Sequence, residues 1–393
     1  MGTRTLSLFA AAWLGLSAGL VQAQPAVVSR VLINPGDSGE QSRVAVYGAW
    51  KAAIEQALRK ERISGPNVQL SNDATADLGA TRSRIPDVFV APAHVIGSAV
   101  RYGYTPVLGL EKPVQAVLVA PKDSPVGNLA QARGKRLGLP MQDSVVTYLL
   151  RGEVNAANTT IKRHFGALYE TRYQEALLPC LQLLRCDVVA VERSLFERWA
   201  AAGEPVKIVM ETKPVPGLSV ALRDGVRPGV AAFDAALTEA LAASGEQGKV
   251  MSLHAADFDY VSTLGYFTPR ELPGATVVDP DMVAQLMKAG AIFIDTRTEP
   301  EFKAGRVPGA RLVPYVEKSP KDADFDPGLD QFDLGKLPQE RDAALIFACN
   351  GAECWKSFKA SHAALRAGYK RVYWFRGGFP AWRAARMKFD TGG

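Results

Sequence analysis

Four cysteines stand in this chain of 393 residues, in two local pairs: Cys180 with Cys186 and Cys349 with Cys354. In ALIFACNGAECWKSFKASHAALRAG an apolar run reads as a buried strand that delivers Cys349 to its end. A tight loop follows, and a helix begins near Trp355. The N–H groups of such a loop and of the first helical turn have no partners inside the helix. Aimed at the sulfur, they would stabilise a thiolate, an anion beside it, or a persulfide carried on it. That is a setting for a nucleophilic cysteine. Two other readings stand beside it: a structural cysteine at a strand end, and a Cys349–Cys354 disulfide. In an oxidising compartment either pair could be a disulfide. Both pairs are spaced too widely for the usual short metal-binding hairpin. His94, His164, His254 and His362 show no ligand-like spacing, so neither a metal nor a cofactor is expected.

The compartment follows from the first residues. MGTRTLSLFAAAWLGLSAGLVQAQP has a positive charge at Arg4, an apolar stretch, and small residues at Val21-Gln22-Ala23. This is the pattern of a cleaved export signal, residues 1–23, and it places the mature protein in the periplasm. The stretch is short for a membrane span, and no other run is long and apolar enough, so no stable span is expected. With 46 basic and 40 acidic residues the net charge is +6, and the charges are mixed along the chain. Without a basic tract, nucleic acid is not an expected partner. A mild positive balance suits small anions.

Strands alternate with helices throughout. SRVLIN (29–34), IPDVFVAPAHV (85–95), VQAVLVAPKDSP (114–125), KRLGL (135–139), CDVVAVE (186–192) and PVKIVME (205–211) read as strands with their exits. Segments 44–59 and 230–243 read as helices, and 173–185 as a helix kinked at Pro179. The pattern predicts a layered α/β fold. It breaks over 266–278, which reads as a linker between domains 24–265 and 279–393. In the second domain helix 279–289, strands 291–295 and 344–348, helix 355–367 and strand 371–375 are expected. The charged, proline-containing segment 316–340 reads as a surface insertion.

At this point the C-terminal region resembles a rhodanese domain. AIFIDTRTEPEFKAGRVPGA (291–310) is similar to the family's early segment, with its Asp-x-Arg and Pro-Gly-Ala. Cys349 sits where the persulfide-carrying cysteine sits, and LRAGYKRVYWFRGGFPAW (365–382) resembles the closing strand. The resemblance implies a nucleophile role for Cys349, a pocket organised by Asp295 and Arg297, and a close turn at Gly377 and Gly378. Asp295 is expected to accept hydrogen bonds as a piece of architecture. There are departures. Arg306 replaces a common His, and Ala352 and Cys354 stand where the family's loop has Gly and Arg. A two-residue insertion would put Lys356 in the arginine's role, with Ser357 behind it. CNGAECW resembles a variant found beside quinoprotein alcohol-oxidation systems. That puts efficient thiosulfate turnover in doubt and suggests a second mechanism, in which Cys354 attacks a persulfide on Cys349 or the pair exchanges disulfides with a partner protein. Trp355 reads as a core cap before a stacking platform.

Residues 29–265 resemble a two-lobe periplasmic solute-binding domain, closest to phosphate- and phosphonate-binding members. The resemblance rests on IPDVFVAPAHV, on VQAVLVAPKDSPVGNLAQARGKRLGLPMQDSVVTYLL and on RCDVVAVERSLFERW. It implies one lobe over 29–115 and 216–265, a second over 120–212, and a ligand held between them. Ser144 and Thr147 would cradle an oxyanion, or merely cap a helix. Pro92, Ala93 and His94 would form the opposing wall. Asp187 would contact ligand or cap a turn.

Three functions follow. The first is a periplasmic sulfurtransferase or persulfide carrier using Cys349, with the larger domain binding a small anionic or sulfur-containing ligand or a periplasmic protein partner. The second is a non-enzymatic binding or thiol-redox accessory of a quinoprotein system. The third is a transporter-linked solute receptor with a degenerate rhodanese domain.

Overall fold

The computed structural model describes residues 26–71, 73–244 and 249–392, so the expected export signal lies outside the described residues. Three larger sheets carry the chain. In lobe one the strand order is Val250–Ser252, Tyr104–Leu110, Ser219–Arg223, Val88–Ala91, Arg30–Ile33, Asn67–Leu70. In lobe two it is Val206–Glu211, Ala116–Pro121, Val188–Glu192, Arg136–Pro140, Ala167–Thr171. Central strands such as Val88–Ala91 are buried on both faces, which requires helices on either side. Helix Glu40–Lys60 supplies one cover: Trp50, Ala53, Ile54, Ala57 and Leu58 recur at helical spacing and are buried. Two segments cross between the lobes, 111–115 outward and 212–218 back, and they meet where Val114 bridges Val215. The two-lobe division read from the sequence is therefore observed.

The third sheet is parallel throughout, in the order Ala275–Val277, Arg371–Phe375, Ala344–Ala348, Ile292–Asp295, Arg311–Leu312. Its edge strand Ala275–Val277 lies in the stretch read as a linker. Helices Pro280–Lys288, Trp355–Arg366 and Gly378–Ala384 complete this smaller domain.

Two expectations need correction. Segment 173–185 is not one kinked helix. It is a single 3-10 turn, Gln174–Ala176, followed by helix Leu177–Gln182. Pro179 falls in that helix's first turn, where its missing N–H costs nothing. The segment 316–340 is not merely a surface insertion. Lys359, on helix Trp355–Arg366, is fully buried and needs acceptors there. It donates to Ser319 O, Ser319 Oγ and Pro320 O and pairs with Glu317 at 2.7 Å. Asp330 takes the N–H groups of Lys318 and Ser319 at 2.6 Å each. The loop 317–323 is thereby pinned, and it points at the larger domain.

Candidate functional site: a covered cysteine loop beside an inter-lobe cleft

Strand Ala344–Ala348 ends at Cys349, as its apolar run requires. Cys349 and Cys354 are joined as a disulfide with Cα atoms 6.2 Å apart. Cys180 and Cys186 form a second one, Cα to Cα 5.3 Å. The Cys349 sulfur also lies 3.1 Å from Ser357 Oγ and 3.1 Å from the Cys354 carbonyl oxygen. Within the loop the Cys354 N–H donates to Gly351 O at 3.0 Å. Gly378 is in the left-handed region at φ 56°, and a Cβ there would collide with the Cys349 carbonyl oxygen and the Gly351 nitrogen. The Phe379 N–H closes the approach with a 2.9 Å bond to Cys349 O.

Asp295 and Arg297 form one buried pair. Arg297 donates through Nε to Oδ1 at 2.9 Å and through Nη2 to Oδ2 at 2.6 Å, and Nη2 also reaches Gly305 O at 2.7 Å. Its guanidinium lies over the Phe379 ring, 4.4 Å from the centroid. Asp295 is thus an architectural acceptor. Lys356 is half-buried, and its charge acts on Glu301. Burial pushes the Glu301 carboxyl up, but Lys356 and the Thr298 donors hold it below the usual carboxylate range.

The larger domain and the 266–278 segment together cover this loop. Ser83 Oγ lies 3.1 Å from Glu301 Oε1 and 3.3 Å from Asn350 Oδ1, sharing its one proton between them. Glu353 pairs with Arg82 at 3.5 Å and with Arg101 at 3.8 Å. Ala352 O accepts from Thr268 N and Thr268 Oγ1, both at 2.8 Å. The Trp355 indole N–H donates to Tyr266 O at 2.7 Å. Cys349 is 1% exposed and Cys354 8%.

Trp355 is also a wall of the second feature, a cleft of about 940 Å³ between the lobes. Pro92, His94, Ser144 and Thr147 line it, whereas Ala93 and Asp187 do not. Ser144 caps helix Val145–Ala156 through Val146 N at 3.1 Å, and its hydroxyl donates to Asp37 of lobe one. The Thr147 hydroxyl donates to Pro140 O at 3.0 Å. Both hydroxyls are therefore occupied by the protein. Asp187 binds Arg136 instead, at 2.7 Å from Nη2. Burial lowers the His94 pKa to about 4, so its ring is neutral, and Nε2 donates to Asp143 O at 2.7 Å. His94 Nδ1 is a buried acceptor without a partner.

The residue that sequence reading missed is Asp143. Its carboxylate takes the Thr75 hydroxyl of lobe one and, at 2.7 and 2.8 Å, the ammonium of Lys321 from the smaller domain. Burial alone would raise its pKa, but Lys321 holds it below the ordinary value. Asp143 lies beside the capping Ser144, which was the only local hint. Its partner stands in the segment read as an insertion.

These geometries define a two-lobed α/β domain joined to a smaller α/β domain with a parallel sheet and a covered cysteine pair. By comparison with known proteins, the chain belongs over residues 44–261 to the phosphonate ABC-transporter periplasmic substrate-binding protein family. Over residues 279–385 it matches the rhodanese-like domain. It is 32% identical over 111 residues to thiosulfate sulfurtransferase 18 of Arabidopsis thaliana, covering 27% of this chain and 76% of that protein. Rhodanese-like domain-containing protein 17 of the same plant is 29% identical, over 29% of this chain and 72% of its own length. The C-terminal domain thus belongs to the rhodanese-like family. Among solved structures, XAC2383 from Xanthomonas citri, bound to ATP, is 18% identical at a TM-score of 0.50, covering 60% of this chain and 96% of that one. That likeness concerns the fold.

Proposed function

We propose that this chain is a periplasmic solute receptor whose rhodanese-like domain works as a thiol–disulfide element and not as a turnover sulfurtransferase. The observation that carries this reading is the state of Cys349: it is bonded to Cys354 and roofed by the larger domain. The loop beside Cys349 carries Glu353, paired with Arg82 and Arg101 of the larger domain, where the rhodanese family has an anion-binding arginine nearby. Exchange chemistry uses the same residues once the covering contacts of Glu353 with Arg82 and Arg101 open. A partner thiolate attacks the Cys354 sulfur, the S–S bond breaks, and Cys349 leaves as a thiolate. The partner's second thiol then resolves the mixed disulfide, so two electrons and two protons pass from the partner dithiol to this pair. The loop's resemblance to proteins beside quinoprotein alcohol-oxidation systems suggests the setting.

The test is alkylation of the full chain in denaturant, before and after reduction. The proposal expects Cys349 and Cys354 to be unlabelled before reduction and labelled afterwards. Labelling of both without reductant would overturn it and restore the sulfurtransferase reading.

A further inference from the structure

The loop 317–323 crosses from the rhodanese-like domain into the wall of the cleft, bringing Lys318, Ser319, Pro320 and Lys321 with it. Lys321 is the deepest in effect. Its side chain is 7% exposed and Asp143 is 6% exposed. An ammonium has three N–H donors. Both acceptors of Lys321 Nζ belong to the single carboxylate of Asp143, so one donor is left inside a cavity. The placement is imposed by the fold, because Lys359 and Asp330 hold the loop backbone behind it.

The surrounding charges point to the kind of ligand. Among the described residues, the lining cations Arg43, Arg151, Arg172 and Lys318 have no carboxylate within ion-pair distance. Asp37 is occupied by the Ser144 and Gln174 donors, and burial pushes its carboxyl up. Glu170 is pushed the same way by burial and by Asp143. Of the lining carboxylates, Asp143, Glu317 and Asp322 are paired with lysines while Asp37, Asp73 and Glu170 are not, so the four unpaired cations exceed the unpaired carboxylates by one. Its volume of about 940 Å³ exceeds what an inorganic oxyanion fills, and Tyr266, Phe267, Trp355 and Leu168 give it apolar surface.

We propose that the rhodanese-like domain is the third wall of the solute site, with Lys321 as a ligand-binding residue, and that the site takes an organic anion with an aromatic or apolar body. This rests on the receptor reading above. The anionic group sits against the spare Lys321 donor while Asp143 keeps the ammonium in place. Ligand recognition then requires both domains, which neither the solute-binding fold nor the rhodanese fold supplies alone.

Calorimetry on the full oxidised chain tests this with phenylphosphonate, inorganic phosphate and benzylamine as probes. Phenylphosphonate is expected to bind more tightly than phosphate. Lys321→Gln should weaken it by about tenfold or more, the worth of a hydrogen bond to a charged group. Lys321→Arg should stay within about threefold, on the same scale. Asp143→Asn, with its urea midpoint checked to show that it folds, leaves Lys321 free of the carboxylate, so phenylphosphonate should bind at least as well. Unchanged binding in Lys321→Gln removes the third wall and leaves the receptor reading intact. Preferred binding of benzylamine, lost in Asp143→Asn, makes Asp143 the ligand's partner and overturns the anion class. Binding of none of the three also overturns that class, whereas the thiol count still decides the redox reading separately.

Discussion

Replacing Glu353 with Gln should uncover the Cys349–Cys354 disulfide. The carboxylate and its partner Arg82 are nearly buried, with side chains 9% and 6% exposed and 3.5 Å apart. Arg101, 3.8 Å away and more exposed, adds a weaker contact. Removing one member of a buried ion pair costs about 3–5 kcal/mol, mostly from the charge left without a partner. Glutamine keeps the shape and one acceptor, and the pair is at the long end of its range, so the lower figure of about 3 kcal/mol applies. At about 1.4 kcal/mol per factor of ten, opening of the domain interface should become roughly 100 times more frequent. Reduction of Cys349–Cys354 by a small dithiol, in native buffer well below the melting temperature, should accelerate by a similar factor. Alkylation followed by peptide mapping reads the rate. The Cys180–Cys186 disulfide in lobe two is the internal control, because the substitution does not touch it. An unchanged rate at Cys349–Cys354, or an equal acceleration at both disulfides, would refute the idea that the larger domain specifically shields this loop.

Further outcomes follow from the same contacts. Cys354→Ala should leave Cys349 as a free thiol that a persulfide donor can load, and the persulfide should outlast any formed on the reduced native pair; equal lifetimes by mass spectrometry would show that Cys354 does not resolve it. Gly378→Ala places a Cβ on the Cys349 carbonyl in a left-handed backbone, and should cost about 2 kcal/mol or more, seen as a lower urea midpoint for the smaller domain. His94 stays neutral in the fold down to a pKa of about 4. Between that value and about 6.5 the unfolded chain binds the extra proton, so this contribution is complete above pH 6.5 and falls by up to about 3 kcal/mol as pH drops through the window. Urea midpoints at pH 7.5 and 5 should converge in His94→Gln, and an unaltered pH dependence would count against a neutral buried ring.

Much of the architecture was readable in the chain. Buried strands such as Val88–Ala91 and Ala344–Ala348 announce themselves as apolar runs, and Gly378 sits where only glycine fits against Cys349. Pro179 misled because a proline signals a kink or a helix start equally well, and only the position of the first turn decides between them. The union of the two domains was hidden for a different reason. Lys321 and Asp143 are 178 positions apart, and each lies in a polar stretch without periodicity. Lys359 looks like one more surface lysine until its helix face is known to be buried. Ser144 caps a helix and Thr147 lies in its first turn, both lining the cleft, but their hydroxyls are taken by Asp37 and Pro140.

On the proposed function, Cys349 rests in a covered disulfide and does not turn over thiosulfate. Intact-mass measurement of the purified full chain, with and without thiosulfate and then after thiol treatment, tests it most directly. The expected result is a mass short of four hydrogens for two disulfides, no gain with thiosulfate, and recovery of those hydrogens on reduction. A gain of one sulfur atom on the untreated protein, lost again with thiol, would contradict it.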